Sequence, residues 1–102
     1  MRRSEVWLAR VEPKTRPVVL VSRQSHLDAR ALVLAVPVTT RVRGLETEVP
    51  LGAAEGLLRP CVAEAGSVRL VAKSVLTRRL GVLPPSKRAA LDGALRFALG
   101  LD

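Results

Sequence analysis

Two runs, PVVLVS at 17–22 and ALVLAVPVT at 31–39, are apolar at successive positions instead of alternate ones. Runs this short and this rich in valine form strands, and a strand that is apolar on both faces must be covered on both. Pro17 opens its run, where a strand tolerates the missing N–H. A chain of 102 residues holds one hydrophobic core and so reads as one domain over 1–102. Covering both faces within that length calls for a closed or tightly curled sheet.

The other segments fit this frame. EVWLARV (5–11) places Val6 and Leu8 on one face of a half-buried strand, and EPKT follows as a turn. RQSHLDAR holds one or two helical turns. LETEVPL (45–51) alternates, with Leu45, Thr47, Val49 and Leu51 on one side. GAAEGLLRP reads as a loop, CVAEAGSVRLV as a strand interrupted or bulged at Gly66, and KSVLTRRLGVL as a short helical turn leading to a last strand. After Pro84 and Pro85, Ser86 is placed to cap a helix with Leu91, Leu95, Ala98 and Leu99 on one face. The expected fold is mainly β with a C-terminal α-helix packed on a small curled barrel.

Composition narrows the function. No apolar run approaches the roughly 18 residues of a membrane span, and the N-terminus is charged before a signal-peptide stretch develops. A soluble, cytoplasmic chain is expected. Cys61, the single cysteine, reads as a small buried hydrophobe, since it can close no internal disulfide. The formal charge is +8, and Lys14, Lys73 and Lys87 are the only lysines, so arginine supplies most of it. Guanidinium groups favour planar, bidentate contact with phosphate. Such a balance points to a polyanion, to an acidic protein partner, or to solubility alone. With no tyrosine, and Trp7 and Phe97 as the only aromatics, base-stacking platforms are missing. Nucleic-acid binding would rest on phosphates and polar edges.

His26 is the only histidine and reads as a solvated side chain or a helix cap. The acids are scattered: Glu46 and Glu48 share one strand, while Asp28, Glu55 and Glu64 lie in unrelated segments. Neither a carboxylate dyad nor a metal site is visible. What remains is arginine beside hydroxyl. If the strands at 17–22 and 31–39 are antiparallel neighbours, Arg16 and Thr39 meet at one mouth of the sheet, with Thr40, Arg41 and Arg43 on the rim. A guanidinium and a hydroxyl there can hold a phosphate and stabilise the added charge of its transition state. The same residues can equally form an ordinary solvated rim.

EVWLARVEP, RPVVLVS, VPVTTRVRG, LETEVPL and LGVLPPSKRAALDGALRFALGL together resemble the MazF/PemK family of toxin endoribonucleases, nearly end to end and in the family's order. The most specific pieces are Arg-Pro opening an apolar strand, the Thr-Thr-Arg exit from the next, and the closing helix that ends in Leu-Gly-Leu. The resemblance implies a homodimer of SH3-like barrels that cleaves single-stranded mRNA without metal or other cofactor and is held inactive by an acidic antitoxin. By position the family's catalytic arginine is Arg16 and its catalytic threonine Thr39. RNA contacts are expected from Lys14 and Thr15 in the first loop, from Thr40, Arg41 and Arg43, and from Arg69 and Lys73 in RLVAK. That last stretch departs from the family's R-T-hydrophobic-D-K pattern at Leu70 and Ala72, and the first loop is shorter than is usual. The implied chemistry is attack of the RNA 2′-hydroxyl on phosphorus, leaving 2′,3′-cyclic phosphate and 5′-hydroxyl ends. The shortened loop and Ala72 motivate an alternative: a catalytically weak barrel that acts by binding an acidic antitoxin or another protein target, as related gyrase poisons do.

Overall fold

The computed structural model describes residues 1–11 and 13–101. Seven strands run in the order β1 (Glu5–Val11), β2 (Lys14–Leu20), β3 (Leu32–Thr39), β4 (Glu48–Leu51), β5 (Cys61–Glu64), β6 (Arg69–Ala72) and β7 (Leu76–Val82). Helix α1 (Gln24–Ala29) joins β2 to β3, and α2 (Pro85–Leu99) ends the chain. Short 3-10 turns occupy Ala53–Glu55, Ala65–Ser67 and Lys73–Val75. Every ladder is antiparallel, and the strands follow the order β4-β5-β3-β2-β1-β7, with β6 also beside β3.

The curl comes from β3, which changes partner along its length. Residues 32–35 pair with β6 and Val38–Thr39 pair with β5. No ladder joins β4 to β7 among the described residues, so the sheet is curled but not closed. The gap is narrowed where the turn at Ala53–Glu55 crosses β7 backbone to backbone. A Cβ on Gly56 would collide with the Leu80 carbonyl, and one on Gly81 with the Glu55 carbonyl. Gly56 also has φ +87°, which favours glycine.

Both faces of the sheet are covered at its centre. Val6, Val19, Val36, Val38, Val49 and Leu51 pack on one face beneath α2, which contributes Leu91 and Ala94. Ala9, Val18, Leu20, Val33, Ala35, Val71 and Leu76 pack on the other, around Leu27 of α1, with Trp7 and Val75 at the margin. This accounts for the continuous apolar character of residues 18–20 and 35–36. The burial fails at the start of β3, where Leu32 is 49% and Leu34 44% exposed, and Leu70, paired with Leu34 on the edge strand β6, is exposed too.

Several expected boundaries shift. Lys14 and Thr15 belong to β2 and not to the preceding turn, whose Glu12 lies outside the described residues. The strand expected at 45–51 begins only at Glu48. The stretch 61–71 is two strands separated by the turn at Ala65–Ser67. Ser86 caps nothing: α2 begins at Pro85 with no side-chain cap, and proline in a first turn lacks the N–H a cap would satisfy. Leu91 is buried and Leu95 half-buried, but Ala98 and Leu99 are exposed in the helix's last turn. Cys61 is buried as expected, its thiol donating to the Leu51 carbonyl at 3.7 Å, and burial raises the thiol's pKa, with the Glu55 charge adding to it. No helix is long and apolar enough to cross a membrane among the described residues.

At the N-terminus, Glu5 is 8% exposed. Its carboxylate accepts from the Trp7 indole at 3.0 Å and from the Arg2 N–H at 2.8 Å, and pairs with Arg79 at 3.1 Å. Burial by itself would raise this carboxyl's pKa; the two hydrogen bonds and the Arg79 charge outweigh it and hold the group below its ordinary value. A carboxyl depressed on folding stabilises the fold above its unfolded pKa, and that contribution is lost as pH falls through the folded value. Glu5→Gln should therefore cost about 1–3 kcal/mol near neutral pH. Thermal unfolding of both proteins across pH should show the difference shrinking once pH drops below about 4.

Candidate active site

The β2–β3 ladder pairs Leu20 with Ala35, Val19 with Val36 and Val18 with Pro37. The paired ladder ends there; continuing its register by two residues sets Arg16 toward Thr39, and both side chains line one cavity. Side chains alternate along a strand, so Arg16 lies on the face of Val18 and Leu20, and Thr39 on that of Ala35 and Pro37. The sequence places these two residues together and the structure does the same, at the end of the face where its apolar packing stops.

Neighbouring elements complete a cavity of about 370 Å³ there, lined by Arg16, Pro37, Thr39, Arg41, Arg43, Glu48, Glu64, Ser67 and Arg69 along with Val38. Arg69 enters from β6, paired with Ala35, and Glu64 and Glu48 face each other across β5 and β4. A second space of about 240 Å³ shares Arg16, Pro37 and Arg69 and extends toward Lys14 and Val71. The two spaces follow one another along the sheet, a shape suited to a polymer. A third, of about 360 Å³, is largely apolar, lined by residues such as Leu8, Pro17, Leu57 and Leu80, and shares only Val38 and Thr39 with the arginine-lined one.

Charge is concentrated on one side of the balance. Among the described residues the ion pairs are Arg3 with Asp92 and Arg79 with Glu5, so Arg16, Arg41, Arg43 and Arg69 have no carboxylate within salt-bridge distance. Arg69 Nε donates only to the Ser67 carbonyl, at 3.3 Å. Thr39 Oγ1 accepts the Arg41 N–H at 3.1 Å. A hydroxyl retains its own proton to donate after such a bond, so Thr39 can offer it to a phosphate oxygen.

Glu48 shapes the loop that carries the rim. Its carboxylate accepts the backbone N–H groups of Arg43 at 2.9 Å, Gly44 at 2.8 Å and Leu45 at 3.1 Å. Gly44, at φ +71°, supplies the left-handed residue that turns successive N–H groups toward one anion. The Arg43 N–H foremost, with those of Leu45 and Gly44, holds the Glu48 carboxyl below its ordinary pKa.

Not every expected residue reaches the cavity. Lys14 lines its extension, while Thr15 faces the other side of β2 and Thr40 lines the apolar space. Lys73 sits beyond the far end of β6 from Arg69, its N–H bonded to the Ala31 carbonyl, and lines none of the three spaces. Leu70 and Ala72 lie on the opposite face of β6 from Arg69, so these departures do not alter the cavity wall. His26 is on α1, away from it. Sequence reasoning missed Glu48, Glu64 and Ser67. A glycine four residues before Glu48, and another two residues after Glu64, whose N–H bonds Glu64 Oε1 at 2.7 Å, were the available signals.

Fold and cavity together define a small curled-sheet protein with an arginine-lined cavity around a threonine, an arrangement that can hold a phosphate backbone. Over residues 2–99 the sequence matches the family described as PemK-like, MazF-like toxin of type II toxin-antitoxin system, and the chain belongs to it. It is 37% identical over 89 residues to endoribonuclease MazF3 of Mycobacterium tuberculosis, covering 87% of this chain and 86% of that protein. Its fold is similar to that of the Mycobacterium tuberculosis toxin MazF-mt6, with a TM-score of 0.90 and 35% identity over 96% of this chain and 98% of the other. A mycobacterial endoribonuclease solved in complex with its cognate antitoxin is similar at a TM-score of 0.91 and 28% identity, over 100% and 97% of the two chains.

Glu48→Ala should release the rim loop without disturbing the core. Amide hydrogen exchange at residues 43–45 should speed up by about tenfold or more, as expected for losing about 1.5 kcal/mol of hydrogen bonding. The amides of β2 and β3 should exchange as before.

Proposed function

We propose that this chain, acting as one domain over 1–102, is a toxin endoribonuclease that cleaves single-stranded RNA at the Arg16–Thr39 cavity. The observation that carries this reading is the set of four arginines, without carboxylate partners among the described residues, that lines one cavity with a threonine hydroxyl. Guanidinium groups left unpaired beside a cavity await an anion, and a row of such groups along a groove suits a chain of phosphates. The absence of aromatic platforms on this face agrees with recognition through phosphates and polar edges.

In this mechanism Arg16 and the Thr39 hydroxyl hold the scissile phosphate. The RNA 2′-hydroxyl attacks phosphorus, and the 5′-oxygen leaves, giving 2′,3′-cyclic phosphate and 5′-hydroxyl ends. Arg16 stabilises the charge gathered on the non-bridging oxygens; a guanidinium, which holds its proton in proteins, serves better as a fixed charge than as a proton shuttle. Arg41, Arg43, Arg69 and Lys14 hold flanking phosphates. Thr15, Thr40 and Lys73, away from the cavity, would touch only RNA that runs beyond it.

The reading extends to partners and place. An acidic antitoxin suits the +8 charge, and the similar mycobacterial endoribonuclease was solved with its cognate antitoxin. A second copy of the chain would cover exposed apolar side chains at the sheet rim (Leu32, Leu34, Leu70) and at the end of α2 (Phe97, Leu99, Leu101). A cytoplasmic location follows from an mRNA substrate.

Purified protein should cleave a defined single-stranded RNA in EDTA and leave the matched DNA intact, because DNA lacks the attacking 2′-hydroxyl. Arg16→Ala should lose about 3–4 kcal/mol of transition-state stabilisation, roughly a hundred- to thousand-fold in rate, while still binding RNA. Cleavage that needs added magnesium, or an Arg16→Ala variant as fast as wild type, would refute the site.

A further inference from the structure

The reaction needs an acceptor for the 2′-hydroxyl proton, and the cavity contains one. Guanidinium groups have no lone pair to offer, and the hydroxyls of Thr39 and Ser67 are weak bases. That leaves the two lining carboxylates, Glu48 and Glu64. They differ in what they already hold. Glu48 uses both oxygens on the N–H groups of the rim loop, and removing a proton from substrate would compete with the contacts that shape that loop. Glu64 uses only Oε1, which accepts the Gly66 N–H at 2.7 Å; its Oε2 has no hydrogen bond among the described residues.

Position supports the same choice. Val38 pairs with Ala63 and Thr39 with Val62, so the register sets Glu64 beside Pro37 on the cavity face of β5. Arg16 lies on β2, the neighbour of β3 on its other side. A phosphate held at Thr39 therefore has the carboxylate to one side and the guanidinium to the other, matching an in-line displacement, in which attacking and leaving oxygens stand on opposite sides of phosphorus.

We propose that Glu64 is the general base of RNA cleavage by this chain, an inference that rests on the endoribonuclease reading above. As the 2′-oxygen bonds to phosphorus, its O–H bond breaks and the proton passes to Glu64 Oε2. The P–O5′ bond then breaks, and the 5′-oxygen takes a proton from solvent water on the Arg16 side. Glu64 afterwards returns its proton to water, so the cycle closes with no metal or other reactant.

Glu64→Gln tests this without disturbing the turn, since the amide oxygen still accepts the Gly66 N–H. Single-turnover cleavage of a defined RNA by the full chain should slow by about 10²–10⁴-fold, the usual contribution of a positioned base. Affinity for the same RNA carrying a 2′-O-methyl at the scissile nucleotide should stay within about threefold. Formate should restore part of the activity of Glu64→Ala, and the fall in wild-type rate at acid pH should be missing from the residual activity of Glu64→Gln. If Glu64→Gln cleaves within about fivefold of an active wild type, or loses RNA affinity as much as rate with no formate rescue, the general-base assignment is overturned while the endoribonuclease reading stands. A wild-type protein that binds RNA and never cleaves it would overturn the endoribonuclease reading itself.

Discussion

The antiparallel register between β2 and β3 decides what this molecule can do, and packing holds that register on both sides of the sheet. Val19 and Val36 face the core beneath α2, while Val18, Leu20, Val33 and Ala35 face the core around α1. A slip of one residue would turn both sets inside out. With two buried faces there is no solvent side to absorb the error. The same alternation that buries Val18 carries Arg16 out of the apolar region two residues earlier, and it carries Thr39 out two residues after Pro37. The placement of the Arg16–Thr39 pair is thus a by-product of core packing, in a chain too small to devote a separate element to it.

Around that pair the electrostatics are lopsided. Four arginines line the cavity against two acids, Glu48 and Glu64, and among the described residues both acids accept backbone N–H groups without forming a salt bridge to a guanidinium. Like charges gathered on one surface repel, and a fold retains them where an anion relieves the repulsion. Glu48 has a further effect: by gathering the N–H groups of residues 43–45 it gives shape to a loop that has little apolar packing, with Val42 and Leu45 both exposed. The rim arginines gain their position from a carboxylate, though among the described residues they form a salt bridge with none.

Much of this was legible in the sequence, for a physical reason. Strand identity at 17–22 and 31–39 follows from local composition, and once two consecutive strands are joined by a short connection their antiparallel pairing is the simplest topology. Arg16 and Thr39 follow from that pairing alone. Glu64 does not, because its relation to Thr39 depends on β5 joining β3 from a distance in sequence, and no local pattern announces such a ladder. Glu48 was hidden differently: its alternating surroundings suggested a strand from Leu45 onward, whereas Gly44 and the Glu48 carboxylate fold residues 43–47 into a turn. The end of α2 misled in the same way. Leu99 has helical spacing from Leu91 and Leu95, but spacing shows which face a residue shares and not how far the sheet beneath it extends.

A double-mutant cycle on Arg16 and Thr39 most directly tests whether the register builds one site from the two residues. Single-turnover rates would be measured for wild type, Arg16→Ala, Thr39→Val and the double variant on one defined RNA. Groups acting together on a single phosphate are strongly non-additive. The double variant should therefore be within about threefold of Arg16→Ala alone, the second loss adding little once the first has occurred. If the two losses multiply in full, the residues act independently, and the single shared phosphate site is contradicted.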